Sequence, residues 1–283
     1  MKGCKLKFSS QYFNVKDTLE CGQTFRFVSY KQGYLIFSLD KCAYVYNQGD
    51  FAYIECLEQD KQYFSNYFDI ERDYGAIVSR AKQSGFEVLS RSAELGKGIR
   101  ILNQNSTEML FSFIISQNNN IPRIKGIIEK LCKSLGEKKQ FYGYEYYAFP
   151  AIDKLALKDQ EFYSSLGLGY RAKYIKVLAD QIKNGLCVDE YSLLQTTPLK
   201  QNLQTLLGVG PKVADCVCLF GFHRSDSFPV DTWIEKVYVQ DFKGQIKQRN
   251  QIANWFVQKF GQDSGYFQQY LFYYKRSLQN NDN

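Results

Sequence analysis

A lysine at the start of one helix and an aspartate at the start of the next are the residues best placed to do chemistry. Lys212 lies in GVGPKVADC, just after Gly208-Val209-Gly210-Pro211. Proline suits the first position of a helix, so Lys212 falls in the first turn, at the positive end of the helix dipole. A cation gains no stability there. The placement favours the neutral amine, which is the nucleophilic form. A lysine that holds a phosphate is an equally good reading of the same residues. Asp231 stands in FPVDTWIE, where Thr232 and Glu235 have capping-box spacing. A helix therefore starts here with Asp231 at its mouth, as a plain N-cap or as a cap that also takes part in chemistry.

The stretch before Lys212 supplies a second kind of site. A helix is expected to end near Leu207, two glycines flank Val209, and a new helix begins at Pro211. Gly208 and Gly210 let the chain turn sharply and approach another molecule closely. N–H groups of the turn and of the new helix's first turn lack internal partners, so they can bind a phosphate. This resembles the helix–hairpin–helix motif, which grips the DNA backbone and reads no sequence. An ordinary turn between two helices that carries two glycines is the alternative.

Composition narrows the chemistry further. The chain has 283 residues, 45% hydrophobic and 23% charged, as expected of about two globular domains. Its 36 Lys+Arg against 29 Asp+Glu leave +7, which permits a polyanionic partner without requiring one. No apolar run approaches the ~20 residues of a spanning helix, and no apolar stretch follows the N-terminal charges. A protein of the cell interior, away from membranes, is expected: cytoplasm or nucleoid in a prokaryote, nucleus in a eukaryote. The single histidine, His223, rules out paired-histidine metal sites and two-histidine acid–base schemes. The eight cysteines are scattered and include no Cys-x-x-Cys, so zinc-ribbon and iron–sulfur patterns lack ligands. Reduced, mostly buried thiols are expected.

The elements that must position these residues change character along the chain. Tyr34–Leu39, Ala43–Tyr46 and Phe51–Cys56 read as strands of an antiparallel meander, punctuated by turn residues. From Pro122 the period is helical: Ile124, Ile127, Ile128, Leu131 and Leu135 share a face, and Gly136 stops the helix. Further helices are predicted over Thr107–Ser116, Arg171–Lys183, Leu199–Leu207 and Lys212–Phe222. The expected fold is α+β. A sheet domain with flanking helices occupies residues 1–100, and a helical region occupies 101–283 with the hairpin at about 199–222.

Together the hairpin, Lys212 and Pro-Val-Asp231 resemble the helix–hairpin–helix DNA glycosylase superfamily, and GVGPKVADC with FPVDT is similar to its 8-oxoguanine DNA glycosylases. GQTFRF at 22–27, FSFIISQNNNIPRI at 111–124, LGLGYRAKY at 166–174 and GYFQQYLF at 265–272 agree in order, so the resemblance spans nearly the whole chain. It implies a monomeric glycosylase/lyase on duplex DNA holding 8-oxoguanine opposite cytosine, with no cofactor or metal. By the same resemblance Lys212 attacks the sugar C1′ to give a Schiff base and β-elimination, and Asp231 stabilises the cationic sugar. Phe272 and Cys216 sandwich the flipped base, Gln268 bonds its Watson–Crick edge, and the Gly22 carbonyl takes the N7–H of the oxidised base. Asn118 fills the vacated stack, Tyr170 wedges, and Arg123 and Arg171 read the estranged cytosine. Gly208, Val209 and Gly210 hold the backbone.

One position departs from the pattern. Trp233 stands where eukaryotic members place a histidine near a DNA phosphate, which puts that contact in doubt. Two other readings are a glycosylase for another damaged base, alkylated purine or oxidised pyrimidine, and a helix–hairpin–helix protein that binds DNA without reacting. Lys212 argues against alkylated purines, which leave readily without covalent help. Pyrimidine glycosylases of the endonuclease III type usually add a four-cysteine cluster, absent here. A non-catalytic binder predicts no Schiff base on any substrate.

Overall fold

The computed structural model describes residues 3–280 and has the α+β architecture expected from the sequence. Five strands form one sheet: β1 (Gly3–Ser9), β2 (Phe27–Tyr30), β3 (Gly33–Ser38), β4 (Lys41–Gln48) and β5 (Phe51–Leu57), in the order β1-β5-β4-β3-β2. The three strands read from the sequence are the central β3–β5. The two edges were not read. β1 pairs antiparallel with β5, Cys4 opposite Cys56 and Phe8 opposite Ala52. Its exposure alternates strictly, with Lys5 and Lys7 on the outer face, a common protection for an edge strand. A short ribbon of β6 (Lys138–Phe141) and β7 (Tyr144–Tyr147) also escaped the sequence reading; Tyr142-Gly143 joins it in a two-residue turn.

Helices make up most of the rest. Side-chain caps start several of them: Asn105 accepts from Glu108 N at 2.9 Å, Asn120 from Arg123 N at 3.0 Å. The helix predicted from Pro122 runs Ile121–Leu135 and buries the anticipated isoleucine and leucine face. The two hairpin helices run Thr196–Gln204 and Pro211–Gly221. No helix of the described residues is long and apolar enough to cross a membrane.

The chain folds as two compact units. One contains the stretch up to Gln23, Val45–Asn103 and everything from His223 on; the other contains Thr24–Tyr44 and Gln104–Phe222. Within the first, the helix Ser264–Asn280 packs on Glu87–Leu95 and Thr232–Gln240. A buried Arg100 ties its loops together, donating to the carbonyls of Phe68, Asp69, Arg72 and Tyr12 while its guanidinium stacks on Tyr74. Within the second, Pro211–Gly221 packs on the almost wholly buried Ser106–Ser116.

That second unit is also held by a buried ion pair. Arg26 Nη1 lies 3.0 Å from Glu108 Oε1, and Arg26 donates to the carbonyls of Leu39 and Tyr147. The other Glu108 oxygen accepts from Leu39 N at 2.7 Å. The pair joins the turn after β3, the end of β7 and the helix Ser106–Ser116 at one point. Removing one member of such a pair leaves a buried charge unopposed. Arg26→Met should therefore lower stability by roughly 3–5 kcal/mol, measured by urea unfolding; a loss within about 0.5 kcal/mol, the range of an ordinary surface change, would show that the pair is not what joins these elements.

Candidate active site

The hairpin is built as the sequence suggested, but its glycines do different work. Gly208 has φ +86, and a Cβ there would lie 2.4 Å from Tyr174 Cδ2, so only glycine fits. Gly210 has ordinary extended angles, φ −84 and ψ 177, and nothing lies within 4 Å of where its Cβ would stand. Its value is the open space beside it. Val209 is buried, and its N–H is already committed to Leu206 O at 3.0 Å, so it is not available for a phosphate as expected. Among the described residues the N–H groups of Gly208 and Gly210 meet no protein acceptor. Both stand at the positive end of Pro211–Gly221, where an anion is favoured.

Lys212 is exposed in the first turn of that helix, its Nζ 5.6 Å from the centre of the Phe113 ring. Phe113 is itself fixed by stacking on Phe220 at 5.6 Å and by an edge contact with Phe25. Cys216 follows one turn later, on the same face as Lys212, and is buried. A pair that sequence reasoning missed locks the two hairpin helices: Lys200 Nζ lies 2.6 Å from Asp215 Oδ1, whose side chain is only 3% exposed. The sole hint was an aspartate interrupting an apolar run.

The residues expected to face the opposite strand gather in this same unit. Asn118 is exposed and holds a left-handed φ of +44, which asparagine tolerates better than most residues. Arg171, expected to read a base, is buried and spends its guanidinium on the protein. Nε donates to Gln117 O at 2.8 Å, Nη2 to Gln117 O and to Asn118 O, and Nη1 to Leu168 O. The guanidinium also stacks on the half-exposed Tyr170 ring, 4.4 Å from its centre. Arg171 thus braces the Asn118 loop from inside. Arg123 is exposed, with one contact to Gly167 O at 3.2 Å.

Gly22, Asp231, Gln268 and Phe272 belong to the other unit, where the helix Ser264–Asn280 organises them. Gln269 donates to Cys21 O at 3.0 Å. The buried Gln23 carboxamide donates to Thr18 O and Arg100 O and accepts from Leu102 N, so the turn at Gly22, φ +95, is pinned on both sides. Burial pushes the neighbouring Cys21 thiol up to about 12, which removes it as a nucleophile at neutral pH. Gln268 Nε2 donates to Pro229 O at 3.1 Å, whereas its Oε1 is buried with no donor among the described residues. Phe272 lies one turn further along the same helix face, with Arg276 near its ring.

Pro229 leads directly to Asp231. Phe228 stacks on Phe256 at 4.1 Å and anchors the segment. Asp231 caps the helix Thr232–Gln240 with a single oxygen: Oδ1 accepts from Trp233 N at 2.9 Å and from Ile234 N at 3.0 Å. Among the described residues Oδ2 meets no donor. One carboxylate therefore caps and keeps an oxygen for other work. Trp233 carries no charge, but Lys236 Nζ stands 5.3 Å from the centre of its ring.

A hairpin with open N–H groups at a helix start, followed by a lysine, suits the backbone of a nucleic acid. The chain belongs to the HhH-GPD superfamily of base excision DNA repair proteins, whose model matches residues 111–260. Residues 5–110 match the 8-oxoguanine DNA glycosylase N-terminal domain. Among its relatives, an N-glycosylase/DNA lyase of Saccharomyces cerevisiae is 30% identical over 84% of this chain and 71% of that protein. The N-glycosylase/DNA lyase OGG1 of Arabidopsis thaliana is 36% identical over 62% of this chain and 52% of its own. The crystal structure of Clostridium acetobutylicum 8-oxoguanine glycosylase/lyase, in complex with double-stranded DNA containing cytosine opposite the lesion, superposes with a TM-score of 0.91. It is 38% identical and is matched over 95% of this chain and 93% of its own.

The two glycines can be told apart experimentally. Gly208→Ala should cost about 1–3 kcal/mol through backbone strain and the clash with Tyr174. Gly210→Ala should leave urea unfolding within about 0.5 kcal/mol of the parent yet weaken duplex DNA binding in fluorescence anisotropy. Equal affinity for Gly210→Ala and the parent would show that the space beside Gly210 is not where the backbone docks.

Proposed function

We propose that this chain is a bifunctional DNA glycosylase/lyase that excises 8-oxoguanine lying opposite cytosine in duplex DNA. The observation that carries the reading is the Gln268 carboxamide. Its donor half is fixed to Pro229 O, and its buried acceptor half has no donor among the described residues. A buried acceptor left unpaired costs roughly 1–3 kcal/mol, so it makes sense as half of a bond that a ligand completes. Guanine and its oxidised form offer N–H donors along the Watson–Crick edge. The pinned Gly22 turn supports its carbonyl as the acceptor for the N7–H that only the oxidised base carries.

The base must leave the stack before it can be reached. Phe272 and Cys216 would then cover its two faces. In the reaction the Lys212 amine attacks C1′, the bond from C1′ to the base nitrogen breaks, and the base departs with its electron pair and a proton. The C1′–O4′ bond then breaks, the ring oxygen taking a proton, and leaves a Schiff base between C1′ and the lysine nitrogen; this acidifies the C2′ hydrogens, and loss of one expels the 3′ phosphate. Asp231 Oδ2, the oxygen its cap does not use, is the group to oppose positive charge on the sugar. Gly208 and Gly210 N–H groups would hold a backbone phosphate.

On the opposite strand, Asn118 would fill the gap and Tyr170 would wedge beside it. Arg123, exposed and lightly held, suits the two acceptors of cytosine. Arg171 acts in this reading through the loop it braces, since its donors already face carbonyls.

Borohydride trapping tests the chemistry. The parent should be trapped on duplex DNA carrying 8-oxoguanine opposite cytosine, and Lys212→Gln should bind the same duplex without being trapped. Trapping of that variant would falsify the assignment of the nucleophile. Asp231→Asn should slow excision by about 10²–10³-fold, the range for losing a group that stabilises transition-state charge. With Arg123→Ala, excision should lose its preference for cytosine among the four opposite bases; an unchanged preference would place the reading of cytosine elsewhere.

A further inference from the structure

Gln117 stands between two working parts of the second unit and touches both. Its side-chain Nε2 donates to Gly208 O at 2.8 Å, in the hairpin turn, and to Ile114 O at 3.2 Å, a carbonyl of the last turn of Ser106–Ser116. Its own carbonyl receives Arg171 Nε and Nη2, and the Tyr170 hydroxyl approaches it at 3.5 Å. The next residue is Asn118, with its left-handed φ. One residue thus ties the hairpin by its side chain and the Asn118 loop by its backbone.

The contact to Gly208 matters because of what it fixes. A trans peptide is planar, so the Gly208 carbonyl and the Val209 N–H move as one plate. Gln117 holds the carbonyl, and Leu206 O holds the N–H at 3.0 Å. With the plate fixed at both ends, the N–H groups of Gly208 and Gly210 on either side of it are set in direction. Without Gln117, the Gly208 carbonyl loses its partner, and the plate can rotate about a glycine that resists rotation weakly.

We propose that Gln117 is a positioning residue that couples the hairpin's grip on one strand to the insertion of Asn118 against the other. The inference rests on the glycosylase reading above. Gripping the backbone and filling the vacated stack then occur together, and opposite-base selectivity depends on a residue that contacts no base. Gln117 touches neither the sugar nor the base in this scheme, so the lyase chemistry itself does not require it.

Two variants test the coupling. Gln117→Met keeps the length and removes the donor; Gln117→Asn keeps the amide but is too short to reach Gly208, and serves if the methionine variant fails to fold. Single-turnover excision of 8-oxoguanine would be measured opposite each of the four bases, beside borohydride trapping on a preformed abasic site. Excision opposite cytosine should fall by about tenfold, the equivalent of one hydrogen bond, and the spread of rates among opposite bases should narrow. With enzyme at a concentration that saturates the duplex, so that a weaker grip alone does not register, trapping on the abasic site, which needs no base extruded, should stay near the parent's. A folded variant with the parent's rate and selectivity overturns the coupling and leaves the glycosylase reading standing. A parallel loss on the abasic site at saturation also overturns it, since the residue would then serve the covalent step or general stability. A parent protein that excises nothing sinks both.

Discussion

A hydrogen-bond donor kept for a ligand has to be left unpaired in the free protein, and it holds its direction only if its neighbours are paired. The hairpin turn is arranged around that constraint. Among the described residues the Gly208 and Gly210 N–H groups are open, while the peptide between Gly208 and Val209 is held at its carbonyl by Gln117 and at its N–H by Leu206. Tyr174 packs where a side chain at Gly208 would be, so the positive φ cannot relax by substitution. The buried contact of Lys200 with Asp215 clamps the two helices that deliver the turn. Open donors at a helix start attract an anion through both the dipole and direct bonding, and they do so without any net cationic charge.

The same logic appears in the first unit with the polarity reversed. There the open groups are acceptors. Gln268 has one end of its carboxamide anchored and the other unpaired; Asp231 has one oxygen committed to its helix and the other free of donors among the described residues. Anchoring half of a bifunctional group is an efficient way to aim the remaining half, since the planar group cannot turn without breaking the anchored bond. An aimed, buried acceptor penalises any ligand that brings no donor, and that penalty is a stronger filter than shape alone.

Features carried by a few adjacent residues were legible in the sequence. The hairpin, the proline start, the Asp231 cap and the helix Ile121–Leu135 all follow from turn chemistry, capping or a 3.6-residue period. The central strands were legible for the same reason. β1 was not, because its lysines hid an alternation in which only Cys4, Leu6 and Phe8 turn inward. The ribbon β6–β7 is four residues to a strand, too short for a period to show. Arg26 with Glu108, Lys200 with Asp215, and Arg171 with the Gln117 carbonyl are the joints of the second unit, yet each pairs residues far apart in sequence. Each charge alone reads as a solvated surface residue. Motif similarity named Arg171 without revealing that its donors face inward.

Those buried arginines also show where part of the positive charge lies. Arg26, Arg100 and Arg171 are each less than a tenth exposed and donate to backbone carbonyls. Arginine suits this use because its planar fork satisfies several carbonyls at once, and losing its proton is not an available escape. Arg26 is balanced by Glu108, but the positive charge of the other two is spent inside the fold and not on a surface that could meet a phosphate. Asp60, Glu108 and Asp215 are equally buried, however, so the buried charges cancel and the formal +7 is carried at the surface. Backbone contacts of either kind position a protein on DNA and carry no information about the base. In the reading proposed above, selectivity for the oxidised base would then reside in the Gly22 carbonyl beside Gln268 Oε1, and selectivity for its partner in Arg123 together with the loop that Gln117 and Arg171 hold.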